Sequence, residues 1–286
     1  MKYLFMKNFS SEFRIKKMAN VLGVSRSSYY AWKNRGESQR SKENSSLLGR
    51  IQAIYARSHG IYESRRITVA LRNAGQFYGK NRVARIMRLA SIASRIKRKF
   101  RTTTNSRHSL TKADNLVKQN FSAEKPNRLW VSDITYIWTK EGWLYLAVIL
   151  DVFSRLVVGW SLSHKLHHSL VLQALKQALR KRHILPGLIF HSDPGAQYAC
   201  EVFKEQLRIN QIIQSMSGSG NCYDNALAES FFHSLKTEWV YFEKYETKEQ
   251  ASLSIFEYIE LFYNWQRFHS SIGNMSPARY EQLMCQ

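Results

Sequence analysis

Hydrophobic and polar positions follow two different periods along the chain, and the period changes near Pro126. Before that point, apolar residues recur every three or four positions, as they do in helices with one buried face. After it, the chain has alternating or continuous apolar runs that are rich in β-branched and aromatic residues, which favour strands. The pattern therefore predicts a helical N-terminal half and an α/β C-terminal half.

The first helical segment has the pattern of a helix-turn-helix. A helix that carries Met18 and Leu22 stops at Gly23, and Ser25 is placed to cap a second helix in the run SRSSYYAW. Helix, tight glycine turn and capped helix is the arrangement of this DNA-binding motif, although an ordinary helical hairpin has the same pattern. If it is the motif, Ser25 and Arg26 lie at the start of the helix that reads DNA.

A second helical module is predicted from about residue 45 to residue 95. Leu47, Ile51 and their helical neighbours give it an apolar face. Later in the module, Arg82, Arg85 and Arg88 recur at steps of three on one face. Such a row can follow DNA phosphates, but a solvated helix face is the commoner use of charge at that spacing.

The C-terminal half reads as three consecutive strands followed by alternating helix and strand. The strands are LWVSDITYIW, WLYLAVILDVF and SRLVVGWSL, after which come a helix, the strand GLIFHSD, a helix near CEVFKEQLRI, the strand QIIQSM and another helix. This is the order of a ribonuclease-H-like α/β domain. A long amphipathic helix and a short helix after Pro277 complete the chain. The predicted units are 1–40 helix-turn-helix, 41–100 second helical module, 101–126 basic linker, 127–240 ribonuclease-H-like core and 241–286 C-terminal helical segment.

Charge is distributed unevenly between the two halves. The chain has 43 Lys and Arg against 21 Asp and Glu, a net charge of +22, and a pI near 10.0. Residues 1–120 hold 27 basic and 5 acidic residues, whereas residues 121–286 hold 16 of each. We interpret the N-terminal region as one that grips nucleic acid, the alternative being a basic surface that serves solubility alone.

Other classes of protein are disfavoured by the composition. The three cysteines form no CxxC pair, which argues against a disulfide framework or a zinc site. The longest apolar runs are too short for a signal peptide or a membrane span. We therefore expect a cytoplasmic protein.

Three acids stand out as candidates for chemistry. Asp133 interrupts a strand, where a carboxylate is costly without a partner or a metal, and Asp193 follows the end of another strand. Glu229 lies one turn into a helix. Carboxylate oxygens suit Mg²⁺, and two such ions roughly 3.5 to 4 Å apart can hold the attacking and leaving oxygens of a phosphoryl transfer. However, a chain with 21 acids offers many such triples, and spacing alone selects none.

The helix that carries Glu229 has two distinguishable stripes. One stripe is apolar and predicted to be buried: Ala228, Phe232, Leu235 and Trp239. The other holds Glu229, His233 and Lys236, so that Glu229 can face a cleft. Asp224, at the junction of loop and helix, is explained best as a helix cap.

Several motifs together closely resemble one known family. They are PNRLWVSDITYIW, YLAVILDVFSRLVVGW, FHSDPGAQYACEVF and QSMSGSGNCYDNALAESFFHSLKTE, with LGVSRSSYYAW, IYESRRITVALRNAG and FYNWQRFHSSIGNMSPARY outside the core. The resemblance is to the OrfB proteins of two-frame bacterial insertion sequences. These are DDE transposases with a catalytic core similar to that of retroviral integrases. The match covers nearly the whole chain.

The resemblance implies roles for particular residues. It makes Asp133, Asp193 and Glu229 the catalytic triad and the ligands of Mg²⁺ or Mn²⁺, with two ions expected and 35 residues between Asp193 and Glu229. It assigns Asp151 a structural role and brings Lys236 close to DNA. The chain departs from the family at Pro194, where a polar residue is usual, and at IYESRR, where YGYRR is usual; neither removes a carboxylate.

The resemblance also implies an activity and partners. The enzyme nicks an element end with water and uses the freed 3′-OH to attack another phosphodiester. The expected partners are element and target DNA, an OrfA product fused or bound to this chain, and further copies of the chain on DNA, in the bacterial nucleoid. Rival interpretations are a catalytically silent DNA-binding regulator and a ribonuclease-H-like nuclease that cuts without joining.

Overall fold

The computed structural model describes residues 1–96, 113–218 and 225–285. Within these ranges, six helices precede the sheet: α1 Lys2–Asn8, α2 Ile15–Leu22, α3 Arg26–Asn34, α4 Gln39–Arg57, α5 Ser64–Asn73 and α6 Lys80–Leu89. The sheet region contains β1 Leu129–Thr139, β2 Gly142–Asp151, β3 Val157–Ser163, α7 His168–Lys181, β4 Ile189–Ser192, α8 Ala196–Ala199, α9 Glu201–Ile209 and β5 Ile213–Met216. The last helices are α10 Ala226–Glu238, α11 Lys248–Phe256 and α12 Pro277–Met284.

Helices α1 to α3 form a small unit with its own core. Met6, Met18 and Tyr29 are buried together, and Gly23 makes the predicted turn with φ of 62°. Helix α1 was not predicted; it supplies the third wall of this core. Ser25 occupies the N-cap position of α3, but its side chain makes no capping bond, because its hydroxyl pairs with that of Ser27 at 2.6 Å.

The three helices of the second module pack together as predicted, but its arginines do not form one free row. Arg82 turns toward α4, where its guanidinium donates to Asn44 at 2.8 and 3.0 Å and pairs with Glu43 at 3.1 Å. Arg85 and Arg88 are exposed. The i, i+3 spacing that placed the three arginines on one face could not show that α4 covers the end where Arg82 lies.

In the part of the chain that the structure describes, the sheet has five strands in the order β3-β2-β1-β4-β5. Strands β1, β2 and β3 are antiparallel neighbours, whereas β4 and β5 run parallel to β1. The predicted sequence of strands and helices is confirmed, and the fold is a ribonuclease-H-like α/β fold. Because β4 pairs with β1 only as far as Ser132, the edge of β1 beyond that residue is open.

Apolar cores lie on both faces of the sheet. One face is covered by α7 and α9, which bury residues such as Leu175 and Phe203 against Trp130 and Phe190. The other face is covered by α10 and α11, with Leu235 and other apolar residues of these helices packed on the strands. The buried stripe predicted for α10 is confirmed: Ala228, Phe232, Leu235 and Trp239 are all buried.

The second helical module shares the core beneath α10. The His59 ring lies 4.6 Å from that of Trp239, and the Tyr62 hydroxyl donates to the carbonyl of Gln266 at 2.9 Å. The described part of the expected linker, residues 113–126, also lies on the catalytic unit, with Val117 buried in the same core. Residues 97–112 lie outside the described chain.

The C-terminal segment is less regular than the single long helix that its periodicity predicts. Helix α11 passes into a π-helical stretch, Glu257–Tyr263, before the chain leaves helical structure. The short helix after Pro277 is confirmed, with the proline in its first turn. Across the described residues, no helix combines the length and apolarity that crossing a membrane requires.

Candidate active site

Asp133 lies where the sheet opens. It follows Ser132, the last residue of β1 that pairs with β4, and its Oδ1 accepts a hydrogen bond from the backbone N–H of Ile134 at 2.7 Å. This bond fixes the carboxylate against its own strand. Asp133 therefore stands at the open edge of β1 with one oxygen already oriented.

Asp193 and Glu229 approach from two other elements. Asp193 directly follows β4, the parallel neighbour of β1, and its Oδ1 accepts from the N–H of Gly195 at 3.3 Å. Glu229 is in the first turn of α10 and is exposed, as the predicted polar stripe requires. A carboxylate in the first turn is also favoured by the helix dipole.

We refer to Asp133, Asp193 and Glu229 as the acidic cluster, because the negative charges of Asp193 and Glu229 both act on Asp133. The pKa of Asp133 is raised well above the ordinary value, first by burial and then by the negative charges of Asp193 and Glu229, while the Ile134 N–H and Lys236 act in the opposite direction. The pKa of Glu229 is raised by partial burial. We therefore place Glu229 at the outer edge of the cluster, within electrostatic range of Asp133. The structure thus places Asp193 and Glu229 within electrostatic range of Asp133.

The donor chemistry of the cluster fits a divalent cation. It offers carboxylate oxygens, the preferred ligands of Mg²⁺, and its carboxylates repel one another, which a cation would relieve. Among the described residues, no three acidic, histidine or cysteine side chains are already arranged as an ion cage. The carboxylates, and the exposed Glu229 above all, would have to close around an ion.

A buried hydroxyl pair supports the cluster and was missed from the sequence. Tyr198, fully buried in α8, hydrogen-bonds to the Ser132 hydroxyl at 2.8 Å, and Ser132 also donates to the carbonyl of Val148. Burial raises the pKa of Tyr198 well above its usual value, and the charges of Asp193 and Asp133 add to the effect. A polar residue such as Ser132 inside a buried strand was the available signal.

Lys236 lies on the same face of α10 as Glu229, as predicted. Its ammonium is 5.2 Å from the centre of the Tyr136 ring, which is exposed on the open part of β1. Burial lowers the pKa of Lys236, and the charge of Asp133 opposes this shift. Lys236 is therefore the cation on the α10 side of the acidic cluster.

The carboxylate oxygens of Asp151 accept hydrogen bonds from several other residues of the protein. Asp151 is fully buried and accepts from the backbone N–H of Asn127 and Phe153, from the Trp130 indole and from Arg182, at 2.7 to 3.3 Å. Burial raises its pKa, and these donors partly offset the shift. A carboxylate whose lone pairs are taken in this way is structural, as the resemblance implied.

No contact of the described residues links Ser25 or Arg26 to the acidic cluster, and Asp224 is not among the described residues. Ser25 and Arg26 are exposed at the start of α3. The N-cap position of α10 belongs to Asn225, whose side chain makes no capping bond.

Comparison with known sequences matches three family profiles. The HTH-like domain matches residues 42–100, the Integrase core domain matches residues 123–222, and a second Integrase core domain profile matches residues 229–284. The HTH-like profile thus covers the module of α4 to α6, whereas the helix-turn-helix pattern of the sequence lies in α2 and α3.

Relatives extend over nearly the whole chain. The transposase InsF for insertion sequence IS3A of Escherichia coli (strain K12) is 40% identical over 283 residues, 98% of each chain. The insertion element IS600 uncharacterized 31 kDa protein of Shigella sonnei is 41% identical over 265 residues, 93% of this chain and 97% of that protein.

Solved structures with a similar core are more distant in sequence. A chain of the simian T-cell lymphotropic virus intasome in complex with PP2A regulatory subunit B56 gamma matches with a TM-score of 0.48 and 18% identity, covering 75% of this chain and 70% of that one. The catalytic core domain of BIV integrase matches with a TM-score of 0.41 and 21% identity, covering 55% of this chain and 95% of that one. From the family profiles and the near-complete match at 40% identity, the chain belongs to the insertion-sequence transposases built on an integrase core, a family of polynucleotidyl transferases.

Proposed function

We propose that Asp133, Asp193 and Glu229 are the catalytic carboxylates of this transposase and that together they hold Mg²⁺ or Mn²⁺, two ions during strand transfer. The observation that carries the proposal is the convergence of three acids from β1, the end of β4 and the first turn of α10, with the charges of Asp193 and Glu229 acting on Asp133. Integrase-core enzymes use divalent metals. When bound, such ions polarise a phosphodiester and activate the attacking oxygen.

The protein's own groups prepare the site for this charge. The Ile134 N–H keeps one oxygen of Asp133 in place, and the hydrogen bond between Ser132 and Tyr198 ties β1 to α8 next to Asp133. Asp193 is turned toward Gly195, where an added Cβ would lie 3.1 Å from its Oδ1. A side chain at position 195 would therefore crowd this carboxylate.

We also propose how DNA and protein partners engage the chain. In the proposed reaction, water cleaves one phosphodiester at the element end, and the freed 3′-OH then attacks a target phosphodiester and displaces a 3′-oxygen. Lys236 would hold a phosphate of the element end beside the acids, and Arg85, Arg88, Ser25 and Arg26 would contact DNA farther away. The sequence has no heptad run of its own. We propose an OrfA product, bound or fused, and further copies of the chain as partners, acting in the bacterial nucleoid.

The test is a joining assay with labelled linear ends of the element, target DNA and Mg²⁺, run on the chain fused to the OrfA portion. We expect Glu229→Gln to lower the joining rate about a hundredfold or more, the order lost when one preorganised electrostatic group is removed, with unchanged melting. Glu201→Gln is the matched control, because Glu201 is an exposed acid on α9. Lys236→Ala should lower cleavage and joining most at low salt, because a protein that has lost one phosphate contact depends less steeply on salt.

The outcomes separate the proposal from its rivals. Joining by Glu229→Gln at the unmutated rate would remove Glu229 from the triad. Cutting without joined product in the unmutated protein would identify a nuclease, and an inert unmutated protein with intact DNA binding would identify a regulator.

A further inference from the structure

Apart from the acidic cluster, α10 borders a polar cavity on a different face from Glu229, which we call the second cavity. Its volume is about 420 Å³, and Ala226, Ser230 and Ser234 line it at steps of four along the helix. Glu229 and His233 are not part of its lining. Its other walls come from α5, from the turn between β2 and β3, and from the segment after the π-helical stretch. The cavity is therefore separate from the acidic cluster.

The lining of this cavity is basic. Arg66, Arg155 and Arg267 contribute guanidinium groups, and none of the described residues that line the cavity is acidic. Glu238 pairs with Arg267 at 2.6 Å and with Arg66 at 3.3 Å without itself lining the cavity. One carboxylate thus serves two of three guanidiniums, and the cavity keeps a positive excess.

Arg155 has an unused donor. Within the described chain, no acceptor lies within hydrogen-bond distance of its buried Nε. The nearby Asp151 is already taken by four other donors, and burial lowers the pKa of Arg155. A buried donor without an acceptor is unfavourable in a folded protein, and a bound anion would supply the acceptor.

The pKa of His269 reflects its burial and the positive charge of the three arginines. Burial lowers its pKa to about 2, and the charges of Arg267, Arg66 and Arg155 add to the effect. The ring stays neutral and accepts from Arg267 Nη1 at 2.9 Å, which helps to fix that guanidinium. The first turn of α10 adds its backbone N–H groups and the positive end of its dipole at Ala226 and Leu227.

We propose that this cavity binds a phosphodiester of DNA other than the one that is cleaved, with Arg155 as its principal ligand. The guanidinium fork matches the geometry of phosphate oxygens. Ser270 and Ser271 are exposed at the rim, so that a phosphate on a long backbone can reach the arginines. DNA is the polyanion on which a transposase acts, and strand transfer requires that two DNA segments be held at once.

The test measures DNA binding by the full-length protein with EDTA present, so that it does not depend on the catalytic carboxylates. Fluorescence anisotropy of a labelled duplex is followed across a salt titration. We expect Arg155→Gln to weaken binding at least about threefold and to reduce the slope of log K against log salt by about 0.9, the value for one lost phosphate contact. Arg180→Gln, an exposed arginine on α7, is the control and should change neither quantity by more than the error.

A stability readout distinguishes a ligand-binding arginine from a structural one. Without DNA, Arg155→Gln should melt at or above the temperature of the unmutated protein, because the guanidinium it removes has an unpaired donor. The rise in melting temperature caused by the duplex should shrink. A fall in melting temperature with an unchanged duplex-induced rise would make Arg155 structural and overturn the proposal.

Two further arms complete the test. Ser271→Asp puts a negative charge at the rim and leaves the arginines in place, so it should weaken duplex binding even if Arg155→Gln folds poorly. Inorganic phosphate is compared with chloride at equal ionic strength. Stabilisation by phosphate that depends on Arg155, with an unchanged duplex salt slope, would make the cavity a free-anion site and overturn the assignment to DNA.

Discussion

At the scale of single residues, Glu238 organises the charge around the second cavity. It is almost fully buried, and its pKa is lowered because Arg267 and Arg66 outweigh the effect of burial, which alone would raise it. Arg267 donates to it through Nε and Nη2 at 2.6 and 2.7 Å. Breaking a buried pair of this kind leaves an uncompensated charge, which typically costs about 3 to 5 kcal/mol. The last residue of α10 therefore ties the catalytic helix to the C-terminal segment.

His269, beside this pair, gives the protein a predictable dependence on pH. Its pKa is about 2 in the folded chain, where burial and the charges of Arg267, Arg66 and Arg155 lower it, against 6.5 as its ordinary value. Between about pH 2 and pH 6.5, His269 therefore binds a proton in the unfolded chain but not in the folded chain. The contribution of His269 to stability is complete above pH 6.5 and falls at lower pH by about 1.4 kcal/mol per pH unit.

We expect His269→Asn to remove this part of the pH dependence. Asparagine can still accept the hydrogen bond from Arg267, but it does not titrate. Urea unfolding at pH 7.0 and at pH values down to about 5 should give a shallower loss of stability for the variant than for the unmutated protein. His168→Asn is a control, since His168 lies at the start of α7 and does not line the second cavity. Parallel pH curves for His269→Asn and the unmutated protein would contradict the assignment.

At the scale of elements, the close packing of β3 on α7 depends on Gly159. An added Cβ there would lie 2.3 Å from the carbonyl oxygen of Ala174 and 2.9 Å from the Cβ of Ala178. Because the first of these atoms belongs to the helix backbone, the strand and the helix would have to move apart. We expect Gly159→Ala to lower the free energy of unfolding by about 1 to 3 kcal/mol, as overpacking does.

Gly49 provides the matched comparison for this substitution. It lies within α4, and an added Cβ there meets nothing within 4 Å. Gly49→Ala should therefore raise stability by up to about 1 kcal/mol, since alanine has the higher helix propensity. Urea denaturation of both variants measures the two effects, and equal signs would refute the packing argument.

What the sequence predicted at this scale follows from local periodicity. The order of β1 to β5, the buried stripe of α10 and the position of Glu229 all depend on residues that are neighbours in sequence. The helix α1, the π-helical stretch, the capture of Arg82 by α4 and the missing cap bond of Ser25 depend on contacts that local patterns do not encode. The hydrogen bond between Tyr198 and Ser132 and the unpaired Nε of Arg155 also depend on the folded chain and are not encoded in local patterns. The choice of the three acids among 21 came from the resemblance, and their electrostatic coupling required the folded chain.

At the scale of the whole molecule, the helical half consists of two different kinds of unit. Helices α1 to α3 bury their apolar residues against one another. Helices α4 to α6 share a core with α10 and α11 and are tied to them by the ion pair of Arg66 and Glu238. The basic half of the sequence is therefore not one detachable DNA-binding domain. A cut near residue 120 would divide a continuous apolar core.

This difference predicts the effect of removing residues 1–36. That unit carries eight Lys and Arg against one Glu, so its loss should weaken binding to a DNA duplex and lower the salt slope by about 0.9 for each phosphate that it neutralises. The melting temperature of the remaining chain should change by less than about 2 °C, because no shared core is opened.

A chain cut to residues 121–286 should instead lose its cooperative melting transition, since the loss of α4 to α6 exposes the apolar surface of α10 and α11 to water. Scanning calorimetry and anisotropy on the two truncated chains measure both effects. Cooperative melting of residues 121–286 at the temperature of the full chain, or undiminished DNA binding after loss of residues 1–36, would show that the units are divided elsewhere.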